Sequence, residues 1–298
     1  MKVETVQMAQ VHLSAADLSQ LTKPRITLMV LITMAAGAFL ADPVGFSPLL
    51  VSEALLATGL LASAASALNQ VLETREDALM ERTRDRPLAA GRVDRTLVIS
   101  LACASTAIAL LILAWRVNPL TALLGAITSF SYLFLYTPLK KRTVFSTLVG
   151  AVPGALPPVM GWAAASGRID AGAWVLFGML FLWQVPHFLA IAWIYREDYG
   201  RGGFRVLPVL DPKGGWTAAT MVVFTVLLVG VTLLGPGAGV FDTIGVTGAV
   251  AAGIGFLFTG IDFARHRSRQ AARRVLLASV LYLPAVLAIS LFDYLPGL

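Results

Sequence analysis

Nine runs of mostly apolar residues divide the chain, near 26–41, 48–70, 96–115, 119–137, 144–165, 171–195, 216–235, 240–262 and 275–295. A bilayer-crossing helix needs about 20 such residues, and inside lipid a helix satisfies its own backbone polar groups within one segment. The expected fold is therefore all-α: a polytopic membrane bundle of nine transmembrane helices. Composition excludes a soluble enzyme of this length. Hydrophobic residues make up 57% of the chain and charged residues 13%, against roughly 45–50% and about 25% in soluble domains. A single cysteine, Cys103, excludes an internal disulfide framework, and His12, His187 and His266 are too dispersed for a histidine metal cluster.

The net charge of +6 could point to nucleic acid, but the charges are distributed as a membrane topology requires. With the N-terminus in the cytoplasm, all 23 Lys and Arg residues except Arg116 and Arg168 fall in the N-terminal segment or in the loops after spans two, four, six and eight. Seven or eight spans would put some of these clusters on the wrong face. Residues 1–25 are polar and lack the apolar core of a signal peptide. They read as a cytoplasmic segment of the mature chain, followed by one transmembrane domain over 26–298. Within that segment, His12 to Leu21 suits a short interfacial helix with Ser14 as N-cap. The arginine-rich loop around Arg265–Arg274 reads as a topological and anionic-lipid contact.

Outer connections are short and nearly uncharged, whereas the inner loops after spans two and six are long and carry both signs. The segment from Asn69 to Leu88 reads NQVLETREDALMERTRDRPL. Asn69, Glu73 and Asp77 are spaced i, i+4, i+8, which stacks them on one helix face. Arg82 and Arg86 follow, and Pro87 marks a helix boundary. Oxygen ligands in a row beside arginines suit a metal–diphosphate, since Mg²⁺ takes one or two carboxylates plus phosphate oxygens and arginine forks neutralise the rest. The competing reading is a solvated juxtamembrane helix with Glu/Arg pairs worth a few tenths of a kcal/mol each.

The pattern at Asn69, Glu73, Asp77, Met80, Arg82, Thr83, Arg86 and Pro87 resembles the first acidic motif of the intramembrane prenyltransferases. Within that superfamily it is similar to the branch that farnesylates protohaem IX. Thr22-Lys23-Pro24-Arg25, Tyr136-Thr137-Pro138-Leu139-Lys140, GAVPGALPPVMGW at 150–162, WQVPHF at 183–188 and Glu197-Asp198-Tyr199 resemble the same branch in order, from about Leu21 to Asp211. The resemblance implies two four-helix pseudo-repeats plus one helix, each half offering an acidic inner loop to a shared site. It implies farnesyl diphosphate as donor, haem B as acceptor and Mg²⁺ as cofactor. Metal ligands would come from Asn69, Glu73 and Asp77 with Glu197 or Asp198, and Arg82 and Lys140 would act on the leaving diphosphate. Arg86, Arg142, Trp183, His187 and Tyr199 would contact the substrates, His187 at the haem iron or a propionate. The family commonly has asparagine where this chain has Ser146, so the resemblance assigns that position no role.

Other features read from the residues alone. Pro153, Pro157 and Pro158 in span five predict a kinked or locally unwound helix lining a cavity. Lys140, Lys141 and Arg142 after span four serve equally as a positive-inside anchor. The resemblance implies haem O as the product of a bacterial inner-membrane enzyme with its site on the cytoplasmic side, surrounded by the lipid bilayer, with haem A synthase or oxidase-assembly proteins as partners. An aromatic, quinone-precursor prenyltransferase differs only in the acceptor. A transporter would place its ionisable groups near mid-membrane, whereas these acids sit at the inner surface.

Overall fold

The computed structural model describes residues 13–45 and 47–293, all-helical apart from turns. The nine helices long and apolar enough to cross a membrane among these residues are α2 (Pro24–Ala41), α3 (Pro48–Leu72), α5 (Arg95–Ile112), α6 (Pro119–Phe130), α8 (Ser146–Ser166), α9 (Ala171–Ile194), α12 (Gly215–Thr232), α13 (Thr243–His266) and α14 (Arg269–Phe292). π-helical turns extend α5 over Leu113–Val117 and α6 over Ser131–Tyr136, the latter running into α7 (Thr137–Leu139). Short helices α1 (Ala15–Thr22), α4 (Thr74–Leu79), α10 (Arg196–Arg201) and α11 (Leu207–Leu210) lie between spans.

Local sequence sets most helix starts. Ser14, Ser47, Asp94, Asn118, Asp242 and Ser268 each accept a backbone N–H of the first turn, and Pro24, Pro48 and Pro119 occupy positions where no N–H is needed. Ser14 thus caps the expected interfacial helix, which begins at Ala15; His12 lies outside the described residues. The ninth span starts at Arg269 rather than 275, because Arg269, Arg273 and Arg274 belong to a charged turn that stays helical ahead of the apolar stretch.

The expectation of unwinding in span five is corrected: α8 runs unbroken through Pro153, Pro157 and Pro158. Its neighbours hold it very closely. A Cβ added at Gly161 would fall 1.8 Å from the Met34 carbonyl oxygen, and one at Gly37 would fall 2.1 Å from the Pro158 carbonyl oxygen. Helices that lack a hydrophobic driving force in lipid gain from such small-residue contacts between backbones. Gln184 of α9, almost fully buried, donates to the Ala151 and Leu180 carbonyls at 3.3 and 2.9 Å.

The two halves repeat one detail. α3 stops at Leu72, Glu73 takes φ −105° and ψ 12°, and the six-residue α4 follows. α9 stops at Ile194, Tyr195 takes φ −112° and ψ 26°, and the six-residue α10 follows. In each half the second span ends in the same hinge.

Candidate active site

The hinge at Glu73 corrects the reading of Asn69, Glu73 and Asp77 as one continuous helix face. The helix breaks at Glu73, yet the Glu73 N–H still donates to the Asn69 carbonyl at 3.0 Å and that of Asp77 to the Glu73 carbonyl at 2.8 Å. The i+4 register survives, and all three side chains line one cavity of ≈ 230 Å³ at only 2%, 3% and 1% exposure. Nor does Pro87 end that helix: α4 ends at Leu79, and turns follow. Those turns fold back so that the Thr83 hydroxyl donates to the Asp77 carbonyl, 2.9 Å away.

Each acid in the cavity faces a cation of the same cavity. Arg86 donates to both Asp77 carboxylate oxygens at 2.7 and 2.8 Å, and Lys140 Nζ lies 2.5 Å from Glu73 Oε1. Burial pushes the Asp77 pKa up, and the Arg86 charge opposes that rise. Burial acts downward on Lys140, but Tyr136 and Glu73 outweigh it and hold the lysine above its usual range. Arg82, exposed, donates to the Tyr199 hydroxyl at 3.3 Å and lies 4.9 Å from the Tyr195 ring centre. Lys23 also lines the cavity and forms no ion pair among the described residues. Burial, with Arg86 and Lys140 nearby, lowers its pKa to about 8. Four cations therefore face two carboxylates, an imbalance that suits a polyanion.

A π-helical turn supplies the opposite wall. Thr137 donates to the Tyr132 carbonyl five residues back at 2.8 Å, and its hydroxyl accepts from Asn69 Nδ2 at 3.0 Å. The asparagine amide is thereby oriented with Oδ1 away from Thr137. The same turn brings the Tyr132 and Tyr136 rings to 5.6 Å, and both line the cavity. Such π-helical turns recur at functional sites because they displace one side chain from the helical register.

The second acidic loop is placed differently from expectation. Glu197 and Asp198 do not line this cavity. They border a separate hollow of ≈ 490 Å³ with Glu81, Trp193, Arg196, Arg201 and Arg269. The hinges explain why. Counted from Tyr195, the equivalents of Asn69, Glu73 and Asp77 are Ile191, Tyr195 and Tyr199, so the acids at 197 and 198 fall out of the lining register. Ile191 and Tyr199 do line the cavity. Asp198 instead accepts from the Glu81 N–H at 3.0 Å and pairs with Arg201. Despite burial, those contacts hold its carboxyl below the usual range.

Arg142 is exposed and lies outside the cavity lining. Trp183 and His187 sit one and more turns deeper along α9 than Ile191 and turn toward α14. Trp183 Nε1 donates to the Ser279 carbonyl at 2.8 Å, His187 Nδ1 lies 2.7 Å from Ser279 Oγ, and the two rings stack at 5.0 Å. Ser279 Oγ donates its one proton to the Leu276 carbonyl at 2.6 Å. With the Ser279 proton directed to Leu276, His187 Nδ1 is the donor and the Nε2 lone pair is unprotonated; with that proton directed to Nδ1, the two nitrogens exchange roles.

Lys23, Tyr132, Tyr136 and Ser146 were not singled out as site residues. Lys23 offered a faint signal in the Thr-Lys-Pro-Arg motif; the structure adds that it occupies the left-handed region at φ 48°, unusual for a non-glycine residue. The tyrosines depend on a π-helical turn that has no sequence signature.

As for metal, no three Asp, Glu, His or Cys side chains converge among the described residues. Two carboxylates and an amide oxygen on one wall fit a hard ion that completes its shell with phosphate oxygens and water, rather than a caged structural metal.

Residues 30–283 match the model of the UbiA prenyltransferase family. Proteins named protoheme IX farnesyltransferase are similar over nearly the whole chain. One from Solibacter usitatus is 43% identical across 95% of this chain and 99% of its own. Another, from Salinibacter ruber, is 45% identical across 92% and 97%. The fold also matches solved structures of UbiA homologues. One from Aeropyrum pernix K1 has a TM-score of 0.70 at 19% identity, covering 89% of this chain and 96% of that one. One from Archaeoglobus fulgidus, bound to DMAPP and Mg²⁺, has a TM-score of 0.66 at 13% identity, covering 92% and 99%.

Proposed function

The chain belongs to the UbiA prenyltransferase family, and from that premise we propose that it transfers the farnesyl group of farnesyl diphosphate to a vinyl group of haem B, giving haem O. The observation that carries the reading is the cavity in which Glu73 and Asp77 are each held by a cation, with Lys23 and Arg82 in excess. Relatives named for the same activity, similar over nearly the full length, support the choice of acceptor.

In this reading Asn69, Glu73 and Asp77 hold Mg²⁺, which supplies charge neutralisation to the leaving diphosphate when bound. Arg82, Arg86, Lys140 and Lys23 pair with the phosphate oxygens. Asp198 rather than Glu197 supports the site from the second half, by fixing the backbone at Glu81 beside the cavity residues Met80 and Arg82. Arg142 is an anchor at the membrane surface. As the C1–O bond breaks, its electron pair goes to the diphosphate, where fixed cations in a sheltered site stabilise it. The haem vinyl carbon bonds to C1, water oxygen adds to the neighbouring carbon, and one proton is lost.

The cavity is small against the roughly 300–1,000 Å³ of typical ligand pockets. It suits the diphosphate head, with the farnesyl chain among the helices. His187 faces the haem, its Nε2 lone pair available to iron when Nδ1 carries the proton, while Trp183 stacks behind it. The inner-surface clustering of acids and the Lys/Arg distribution support a site on the cytoplasmic side of a bacterial inner membrane, within one domain over 26–298.

The test is mass spectrometry of the purified protein in lipid with haem B, farnesyl diphosphate and Mg²⁺, beside a control with 4-hydroxybenzoate. A haem heavier by one farnesyl group and one hydroxyl group is expected. Prenylated benzoate instead would keep the donor site and overturn the acceptor.

A further inference from the structure

Ser146 opens α8 and lines the cavity together with Glu73 and Lys140. It is fully buried, at 0% exposure, and its Oγ has no hydrogen-bond partner among the described residues. Thr225 and Thr232, also buried, donate to the Met221 and Leu228 carbonyls one turn back, whereas the Thr58 and Tyr282 hydroxyls, like that of Ser146, have no partner among the described residues; of these three only Ser146 lines the cavity. Ser146 is the first residue of its helix, and the turn behind it is bonded through the backbone, the Ser146 N–H donating to the Thr143 carbonyl at 3.3 Å. The start of α8 is also uncapped: Phe145 occupies the N-cap position without a side-chain bond. Among the described residues no backbone hydrogen bond ties the Thr147 or Leu148 N–H to the preceding loop.

A buried hydroxyl left unsatisfied destabilises the folded chain, and alanine would occupy the same space without that cost. A long helix presents its positive end and free N–H groups to whatever lies beyond its first turn. Both features meet in a cavity with surplus positive charge. We propose that Ser146 Oγ and the α8 N-terminus form an additional anchor for a phosphate oxygen of the prenyl diphosphate. The proposal rests on the donor reading of this cavity. It gives Ser146 a role in the position where the family commonly carries asparagine, with the shorter side chain relying on the helix end beside it.

The experiment uses the full chain in lipid nanodiscs with Mg²⁺. It compares wild type, Ser146→Ala, and Ser146→Cys, which keeps a side chain of similar size but donates weakly. Calorimetric titration with farnesyl diphosphate should show affinity about tenfold weaker for Ser146→Ala, the loss expected of one hydrogen bond to a charged group. Ser146→Cys should lie between. Farnesol, which lacks phosphate, should bind all three alike, and the unliganded Ser146→Ala protein should melt at or above the wild-type temperature. Equal diphosphate affinities would overturn the anchor, as would an affinity loss shared by farnesol or accompanied by a lower melting temperature. Failure of wild type itself to bind farnesyl diphosphate with Mg²⁺ would instead remove the donor reading on which the anchor depends.

Discussion

Replacing Arg86 with methionine should make the protein less stable while making it respond to Mg²⁺ alone. Arg86 holds both carboxylate oxygens of Asp77 at 2.7 and 2.8 Å, with Asp77 at 1% side-chain exposure and Arg86 at 23%. Breaking a buried pair from one side costs about 3–5 kcal/mol, because a charge stays buried without its partner. The partial exposure of Arg86 and the nearby Lys23 put this case near the lower end, about 3 kcal/mol. At roughly 2 °C per kcal/mol for a chain of this size, the melting temperature should fall by about 6 °C. In wild type, Mg²⁺ must displace Arg86 from Asp77 and strand a guanidinium, so metal alone should move the melting temperature little. In the variant that competitor is gone, and millimolar Mg²⁺ should recover much of the loss. Diphosphate added with Mg²⁺ should reverse the order, because it gives the displaced arginine of wild type a partner. Lowering the pH should also narrow the gap. Asp77 already has a raised folded pKa, and losing Arg86 raises it further; a carboxyl raised above its unfolded value binds its proton more tightly when folded, so stability increases as pH falls toward the unfolded pKa. Intrinsic tryptophan fluorescence during a thermal ramp in nanodiscs reads all four conditions. A variant melting within a degree of wild type, or equal Mg²⁺ shifts in both, would refute the charge-exchange reasoning.

Three further outcomes are expected. Lys23, with its pKa lowered to about 8, is partly neutral above that pH, and a bound polyanion should recharge it. Diphosphate affinity should therefore weaken as pH rises through about 8, with proton uptake on binding, measurable by titration calorimetry in buffers of different ionisation enthalpy. Lys23→Met should abolish the uptake. Gly161→Ala would force a methyl to within 1.8 Å of the Met34 carbonyl oxygen, so α2 and α8 must separate; a loss of about 1–3 kcal/mol is expected from overpacking, read as a lower melting temperature. Ser279→Ala removes the hydroxyl hydrogen-bonded to His187 Nδ1, so the absorption spectrum of added haem B should change while farnesyl diphosphate affinity stays the same. An unchanged spectrum would remove His187 from the haem.

The parts of this fold legible in sequence are those governed by local rules. Apolar run length gave nine spans, and capping residues such as Asn118 and Asp242 set helix starts within a few residues. The unbroken α8 was not legible, because its continuity through three prolines goes with close packing against Gly37, Met34 and Gln184, a tertiary fact. At the site, the spacing of Asn69, Glu73 and Asp77 brought the right residues together for an incomplete reason. The helix ends at Glu73, and the hydrogen bonds across the hinge preserve the register that an unbroken helix would have supplied. Tyr132 and Tyr136 were invisible as a pair in the cavity wall because a π-helical turn depends on how α6 meets α3 and α8. Glu197 and Asp198 follow from the resemblance and from the place of their loop in the second half, but their position relative to the hinge at Tyr195 decides which side chains face inward.

That last difference carries an argument about how the two halves divide the work. The hinges at Glu73 and Tyr195 have nearly the same backbone angles and are followed by helices of the same length, so equivalent positions can be compared directly. Where the first half places Asn69, Glu73 and Asp77, the second places Ile191, Tyr195 and Tyr199. One half presents two carboxylates and an amide to the cavity and the other presents Ile191 and Tyr199, joined by Arg82, which reaches from the first to stack on Tyr195 and bond Tyr199. A diphosphate seeks the first kind of wall and a carbon chain the second. If two equal acidic halves held the leaving group symmetrically, Tyr199→Asp should be tolerated or should strengthen diphosphate binding by adding a metal ligand. With the halves specialised, the same change introduces a carboxylate beside Arg82 and the cavity carboxylates. It should weaken farnesyl diphosphate binding, whereas Tyr199→Phe, which removes only the hydroxyl accepting from Arg82 at 3.3 Å, should weaken it by a factor of a few at most. Titration of the two variants side by side separates the arrangements by the sign of the aspartate effect.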